Sequence, residues 1–495
     1  MPRRSLALAL ALVVAASCGP RLEANGSNPG TVPALAYLYA NDPAISYNLT
    51  NGAMLLAYDD EAGAFTADTT HDVLVPKASP SRAGISASSD HGKTWTRVGP
   101  IAPAGAGCGD PQCAVQIAGS ASLEPSETSD QSFWVGLAYT GASLTVPDAI
   151  AYSSSSDRTQ WSPARIGGWM ANRPPGEPSI ARAGGASVIA FTDLTQGELF
   201  FLPFDGAAPP PGAPYLVPIV RDDAGVPKAH PIVRLYSGLL GYVAYLLPHD
   251  EQGTTFDLRV AKITRSYTQL GLTPWQALVA FRLDDIAIDP TRPGALGRNW
   301  RDATPIGLAL GKGPQIHLVY RALSSETGRS KVFVVECDAT SVDDCAIEGD
   351  GTNSLSWTIT ALDDLLPSTS PGGGEYRPTV AADKLSGAVA FTWMKETAPG
   401  SAQVQVLGAS STNPEGLELT AATSLTGGAP WTPCPTAGLV GADTHSFGTH
   451  DSTTVLPFMS DDTDATVVTG YVDSSLGCQE LGQLTFDQHV EVATW

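Results

Sequence analysis

Polar residues with the chemistry of a binding or catalytic site recur at one place in this chain, directly before a proline that opens an apolar β-prone segment. Arg173 and Glu177, Lys228 and His230, Asn299, Arg301 and Asp302, Glu375, Tyr376 and Arg377, and Asp443 and His445 all stand there, with Asp110 ahead of a related segment. Guanidinium and imidazole groups bind anionic and hydroxyl-rich ligands, and carboxylates placed beside them can move protons. A polar pocket explains this recurrence better than chance does, and the alternative is a set of solvated loop positions. Arg173, His230, Arg301, Arg377 and His445 are the expected ligand-binding residues; Glu177, Asp302, Glu375 and Tyr376 are the catalytic candidates. Other chemistries lack their motifs. No Gly-x-Ser-x-Gly elbow, His-Glu-x-x-His helix or phosphate loop occurs. No cofactor is expected. Asp343-Asp344 and Asp461-Asp462-Thr463-Asp464 offer oxygen ligands for Ca²⁺, but a complete calcium loop is absent, and acidic hairpin tips account for them more simply. His91 and His450-Asp451 read as surface residues.

The elements that must position these residues are short strands. From residue 33 onward, segments rich in Val, Ile, Tyr, Phe and Thr alternate with clusters of Gly, Pro, Asp and Ser, and helical periodicity is almost absent. One unit repeats: a polar residue and usually Pro, a β-prone segment, a Gly turn, then an apolar strand ending in an aromatic. Five copies lead into Val135 to Tyr139, Val188 to Phe191, Tyr242 to Tyr245, Ile316 to Tyr320 and Ala388 to Trp393. Weaker copies near Ile45 and His445 lead into Met54 to Tyr58 and Thr454 to Leu456. Starts lie about 67 residues apart on average, longer than the roughly 40 to 50 of compact four-stranded repeats. Four-stranded sheets closed in a ring leave few exposed edges, so the expected fold is an all-β β-propeller of seven blades. Six blades with a terminal latch, or a pair of β-sandwiches, are the alternatives. In a propeller the polar positions above converge on the axial funnel.

Ser88-Ser89-Asp90-His91-Gly92-Lys93-Thr94-Trp95 resembles the Asp-box, the bacterial neuraminidase repeat, at every defined position, and Ser155 to Trp161 is similar to a degenerate second copy. In the hairpin this implies, Ser88 and Asp90 satisfy turn amides, Gly92 takes a positive φ and Trp95 packs inward. The resemblance is to sialidase-like propellers. It implies structural roles for these residues, an arginine clamp drawn from Arg173, Arg301 and Arg377, a tyrosine nucleophile such as Tyr376, and proton transfer by Glu177, Glu375, Asp302 or Asp110. No Arg lies between Arg21 and Arg82, where that family carries its first clamp arginine. The reading therefore places binding of a glycan or protein at the cell envelope first, a sialidase-like glycoside hydrolase or lyase second, and a non-catalytic scaffold third.

Composition sets the address. The chain has 495 residues, 43% hydrophobic and 16% charged, with 50 Gly and 39 Pro, more turn-formers than average usage provides. A net charge of −22 repels a phosphate backbone and argues against nucleic-acid binding. Arg3 and Arg4, the apolar run Leu6 to Ala16 and the small residues before Cys18 read as an export signal over residues 1–17, too short to span a bilayer. Val14-Ala15-Ala16-Ser17-Cys18 resembles a bacterial lipobox, which implies acylation of Cys18, and Gly19 after it favours the outer membrane or cell surface. Residues 18–32 then form a linker and 33–495 a single domain, expected to be monomeric. The six other cysteines suit an oxidising compartment, most economically as Cys108 with Cys113, Cys337 with Cys345 and Cys434 with Cys478, although fifteen pairings exist. Their spacing does not fit a zinc site.

Overall fold

The computed structural model describes residues 23–26, 40–47, 54–60, 65–68, 73–76, 82–100 without 91 and 93, 122–124, 135–155 without 144 and 145, 162–166, 179–205 without 193–197, 217–218, 229–287 without 249–254, 270, 273 and 278–280, 306–337 without 313, 314 and 325, 357–425 without 368–372, 384–386, 402 and 412–416, 452–456, 466–473 and 489–494. The chain is all-β: a β-propeller whose described strands form seven principal sheets. Their innermost strands are Ala40–Tyr47, Ser122–Glu124, Ser179–Ala183, Ala229–Leu235, Ile306–Leu310, Glu375–Ala382 and Ser452–Leu456. Each packs against the next, and the last against the first, closing the circuit. The end of the ring at which these inner strands begin is called the front face below, and the opposite end the back face.

Within a sheet the chain meanders outward. The fifth runs Ile306–Leu310, Ile316–Leu323, Ser330–Cys337 and Trp357–Ala361, each antiparallel to its neighbour. Apolar residues lie on both faces because each sheet is covered on both sides. Tyr242, Ala244, Leu246, Leu258 and Val260 of the fourth sheet pack on Ile306, Leu308, Leu318 and Tyr320 of the fifth. Val319, Val332 and Val334 on the other side of the fifth meet Val380, Phe391 and Trp393 of the sixth. Two-sided burial is why the second strands read as continuous apolar runs rather than alternating ones; Val389–Glu396 is buried along its whole length.

The Ser88 to Trp95 turn has the chemistry its residue types predict. Ser88 Oγ accepts from the Gly92 amide at 2.9 Å and Asp90 Oδ1 from the Thr94 amide at 2.8 Å, while Trp95 Nε1 donates to Gly92 O at 3.0 Å. Gly92 has φ +83° and Trp95 is buried. Burial works against the Asp90 carboxylate, but the Thr94 and Ser88 hydrogen bonds outweigh it and hold its pKa below the ordinary value.

Three sequence expectations need correction. The inner strand of the second sheet is Ser122–Glu124, well after Asp110, rather than the segment directly following that residue. In the seventh sheet Ser452–Leu456 is the inner strand and Thr466–Asp473 the second, so Thr454 to Leu456 sits one strand further in than the repeat suggests. That unit lacks the opening proline that marks its neighbours. Finally, the supposed linker contributes the strand Glu23–Gly26, which pairs in parallel with the last strand, Glu23 opposite Glu491 and Gly26 opposite Thr494. The seventh sheet thus combines both ends of the described chain. Such parallel completion leaves no signal in so short and polar a segment.

Candidate functional site

The front end of the sixth sheet carries the described part of the polar constellation. Glu375 pairs with Lys395 and Tyr376 with Met394, after which the register shifts and resumes with Thr379 opposite Thr392. Arg377 stands in that irregularity with φ +48°, the one described non-glycine residue with a positive φ. A side chain in the left-handed region costs about 1–2 kcal/mol. Pro378 follows and disfavours the ordinary helical alternative. Such conformations persist where neighbours over-determine them, and here they do.

Glu375 is turned away from the axis into the interface with the fifth sheet. Its Oε1 accepts from Lys395 Nζ at 2.9 Å and its Oε2 from the Val332 amide at 3.0 Å, while Ser330 Oγ donates to its carbonyl at 2.6 Å. Lys395 Nζ also donates to Asp363 Oδ1 at 2.9 Å. Asp363 lies in the short helix Leu362–Leu365 that follows the outer strand of the fifth sheet. The triad is an inter-sheet tie. Burial pushes the Glu375 carboxyl above the usual carboxylate range, against the pull of the Lys395 ammonium. Burial alone would lower Lys395, but the charges and hydrogen bonds of Glu375 and Asp363 outweigh it and leave the ammonium above its ordinary pKa.

Tyr376 leaves the strand on the other face, as successive residues must, among Met394, Val404, Val406 and Leu425. Its hydroxyl donates to Glu396 Oε1 at 3.1 Å. Glu396 Oε2 accepts from the Gly374 and Gly400 amides, each at 3.0 Å. The approach to the strand is tight: a Cβ on Gly373 would lie 2.4 Å from Ala398 O and 2.5 Å from Glu396 Oε2. From the fifth sheet, the Arg321 guanidinium lies 5.5 Å from the centre of the Tyr376 ring, a cation–π contact. Arg321, Tyr376, Arg377, Glu375 and Glu396 are all less than 5% exposed.

The cluster therefore presents two guanidinium groups and a phenol held on a carboxylate, on a backbone that is strained and locked. Its natural chemistry is hydrogen bonding to anionic or hydroxyl-bearing ligands. Of the residues singled out in the sequence, Glu375, Tyr376 and Arg377 are brought together, with Glu375 as a structural tie rather than a group directed at the funnel. The side chain of His230, in Ala229–Leu235, is outside the described set. Arg173, Glu177, Arg301, Asp302, His445, Asp110, Lys228, Asn299 and Asp443 also lie outside the described residues, as do Cys18, Cys108, Cys113, Cys345, Cys434, Cys478 and the acidic runs at 343–344 and 461–464. Cys337 is disulfide-bonded. Sequence reasoning missed Arg321, Asp363, Lys395 and Glu396. The signal was present for the last two, a Lys-Glu pair ending an otherwise apolar strand.

No family model matches the chain and no curated protein does. Among solved structures, an α-L-arabinanase of Penicillium chrysogenum complexed with arabinobiose covers 97% of this chain and 97% of its own at 14% identity and a TM-score of 0.41. A protein of unknown function from Dyadobacter fermentans covers 79% of this chain and 97% of its own, at 14% identity and a TM-score of 0.42. An α-L-arabinanase of Cellvibrio cellulosa complexed with arabinohexaose covers 63% and 99%, at 14% identity and a TM-score of 0.32. Likeness of this degree assigns neither activity nor substrate. The class defined by the chain's own strand order is the β-propeller.

Proposed function

We propose that this is an exported, lipid-anchored β-propeller that binds a glycan at the cell envelope through the front end of the sixth sheet. The observation that carries the reading is Arg377, held at φ +48° directly after two residues, Glu375 and Tyr376, that are fixed by the Lys395 ammonium and the Glu396 carboxylate of the adjacent strand. Strain of this kind concentrates at ligand-binding positions. Arg321 over the Tyr376 ring adds a second cation to the same end. The test is retention of the full chain on an array of sialylated, uronic-acid and neutral glycans, with Arg377→Ala and Arg321→Ala alongside. Loss of retention by tenfold or more in both variants, with unchanged melting, supports the reading. Retention of no glycan, or equal retention in the variants, overturns it.

A hydrolase is the second reading. It is favoured by the Tyr376 hydroxyl bonded to Glu396 at 3.1 Å, since a phenol beside a carboxylate can be activated as a nucleophile. Product release from the same glycans, abolished in Tyr376→Phe, distinguishes turnover from binding.

A further inference from the structure

We infer that the front face of the ring is its membrane-facing side, apposed to the lipid headgroups of the leaflet that carries the anchor. The inference rests on acylation of Cys18, which is part of the proposed function, and on the direction of one strand. Glu23–Gly26 runs parallel to His489–Thr494. That strand is antiparallel to Thr466–Asp473, which is antiparallel to the inner strand Ser452–Leu456. The N-terminal strand therefore points the same way as the inner strands, and Glu23 lies toward the front face. Four residues, 19–22, separate it from Cys18. Five Cα steps span at most about 18 Å fully extended, so the anchor stays close to the front rim of the seventh sheet. This sheet adjoins the sixth, whose front end carries Arg321's partner Tyr376 and Arg377.

The back face offers a competing membrane contact. The hairpin Tyr267–Thr268 with Gly271–Leu272 follows the third strand of the fourth sheet, which ends at the back. There Tyr267 is 73% exposed and Leu272 38%, and an aromatic of this kind suits a headgroup interface. The tether decides between the faces. To reach the back, residues 19–22 would have to reverse direction and then run along the sheet, and a reversal alone consumes a four-residue turn. The two faces are about 27 Å apart along an eight-residue strand. The strongly acidic chain is repelled by an anionic surface rather than drawn to it, so the tether and not charge sets the orientation.

The test uses the full lipidated chain in phosphatidylcholine vesicles containing a headgroup-linked quencher. A reporter dye is placed under non-reducing conditions at Ala398→Cys, exposed in the front turn after Val389–Glu396, or at Thr268→Cys, exposed in the back hairpin. The expected result is at least about twofold stronger quenching at position 398, and loss of the difference when twenty Gly and Ser residues are inserted between 22 and 23. Equal quenching, or stronger quenching at 268, in a chain whose acyl group is confirmed by mass spectrometry overturns the orientation alone. A chain found without the acyl group overturns the anchor as well.

Discussion

Lys395 holds two carboxylates from different parts of the chain, Glu375 at its own sheet and Asp363 in the helix after the fifth sheet, each at 2.9 Å. Removing one partner of a buried ion pair is costly, because it leaves the other charge buried and unanswered. Lys395→Met is therefore expected to lower stability by about 3–5 kcal/mol in urea melts at pH 7. Adding Glu375→Gln should return part of that loss, since the fully buried carboxylate is then gone and only the partly exposed Asp363 remains at the tie. The pH dependence has a definite sign. A lysine whose folded pKa is raised contributes fully below its unfolded value of about 10.4, and the contribution disappears as pH rises through the folded value. The lysine's part of the difference in urea midpoint between wild type and Lys395→Met should accordingly shrink as pH rises above the ordinary lysine value of about 10.4. Asp90 behaves in the opposite sense. Its pKa is lowered, so the turn it holds is firmest above the ordinary aspartate pKa of about 3.9 and loosens as pH falls through the folded value. Deuterium exchange over residues 88–95 should be faster in Asp90→Ala than in wild type at pH 7, and the two should converge only as pH falls below the lowered pKa of the folded turn.

The strands of neighbouring sheets approach closely enough for single methyl groups to matter. A Cβ on Gly307, in the inner strand of the fifth sheet, would lie 2.6 Å from Val319 Cγ2 and 3.1 and 3.2 Å from Val380 Cγ1 and N in the inner strand of the sixth. The backbone nitrogen cannot yield as a flexible side chain would. Gly307→Ala is expected to cost about 1–3 kcal/mol by overpacking, read as a lower melting midpoint with unchanged circular dichroism. Sequence reasoning reached the elements well wherever a unit carried its own local marks. Pro231 and Pro378 early in first strands and the aromatics Tyr245 and Trp393 within second strands located these elements, because two-sided burial imposes an apolar run that no loop imitates. It failed where position depends on pairing. Ser452–Leu456 and Thr466–Asp473 are both plausible second strands by composition, and only the ladder between them assigns the order. The direction of Glu375 was equally hidden, since its turn toward Val332 and Lys395 depends on residues 43 and 20 positions away. Tyr376 and Arg377 were legible as a pair because the Pro that follows marks the start of an inner strand.

At the scale of the whole molecule, the ring is closed by strands from both ends of the chain. Three strands of the seventh sheet come from residues 452–494, and the fourth is Glu23–Gly26. Without that strand, His489–Thr494 would present an unpaired edge, and exposed edges recruit other chains. The polar sequence Glu23-Ala24-Asn25-Gly26 buries little apolar surface, so its contribution lies in the four-residue ladder and in covering the edge rather than in core packing. A chain beginning at residue 27 should therefore keep its far-ultraviolet circular dichroism but unfold at a lower temperature than the chain beginning at residue 22. Its light scattering should also rise with protein concentration, as edge-to-edge pairing requires. Equal melting and concentration-independent scattering in the two chains would show that the ring closes without the N-terminal strand. The parallel direction gives a second check at the same scale. Cysteines at Glu23 and Glu491, which are register partners, should cross-link on mild oxidation and raise the melting midpoint, whereas a pair at Glu23 and Thr494 should not, because an antiparallel ladder alone would bring those two positions together.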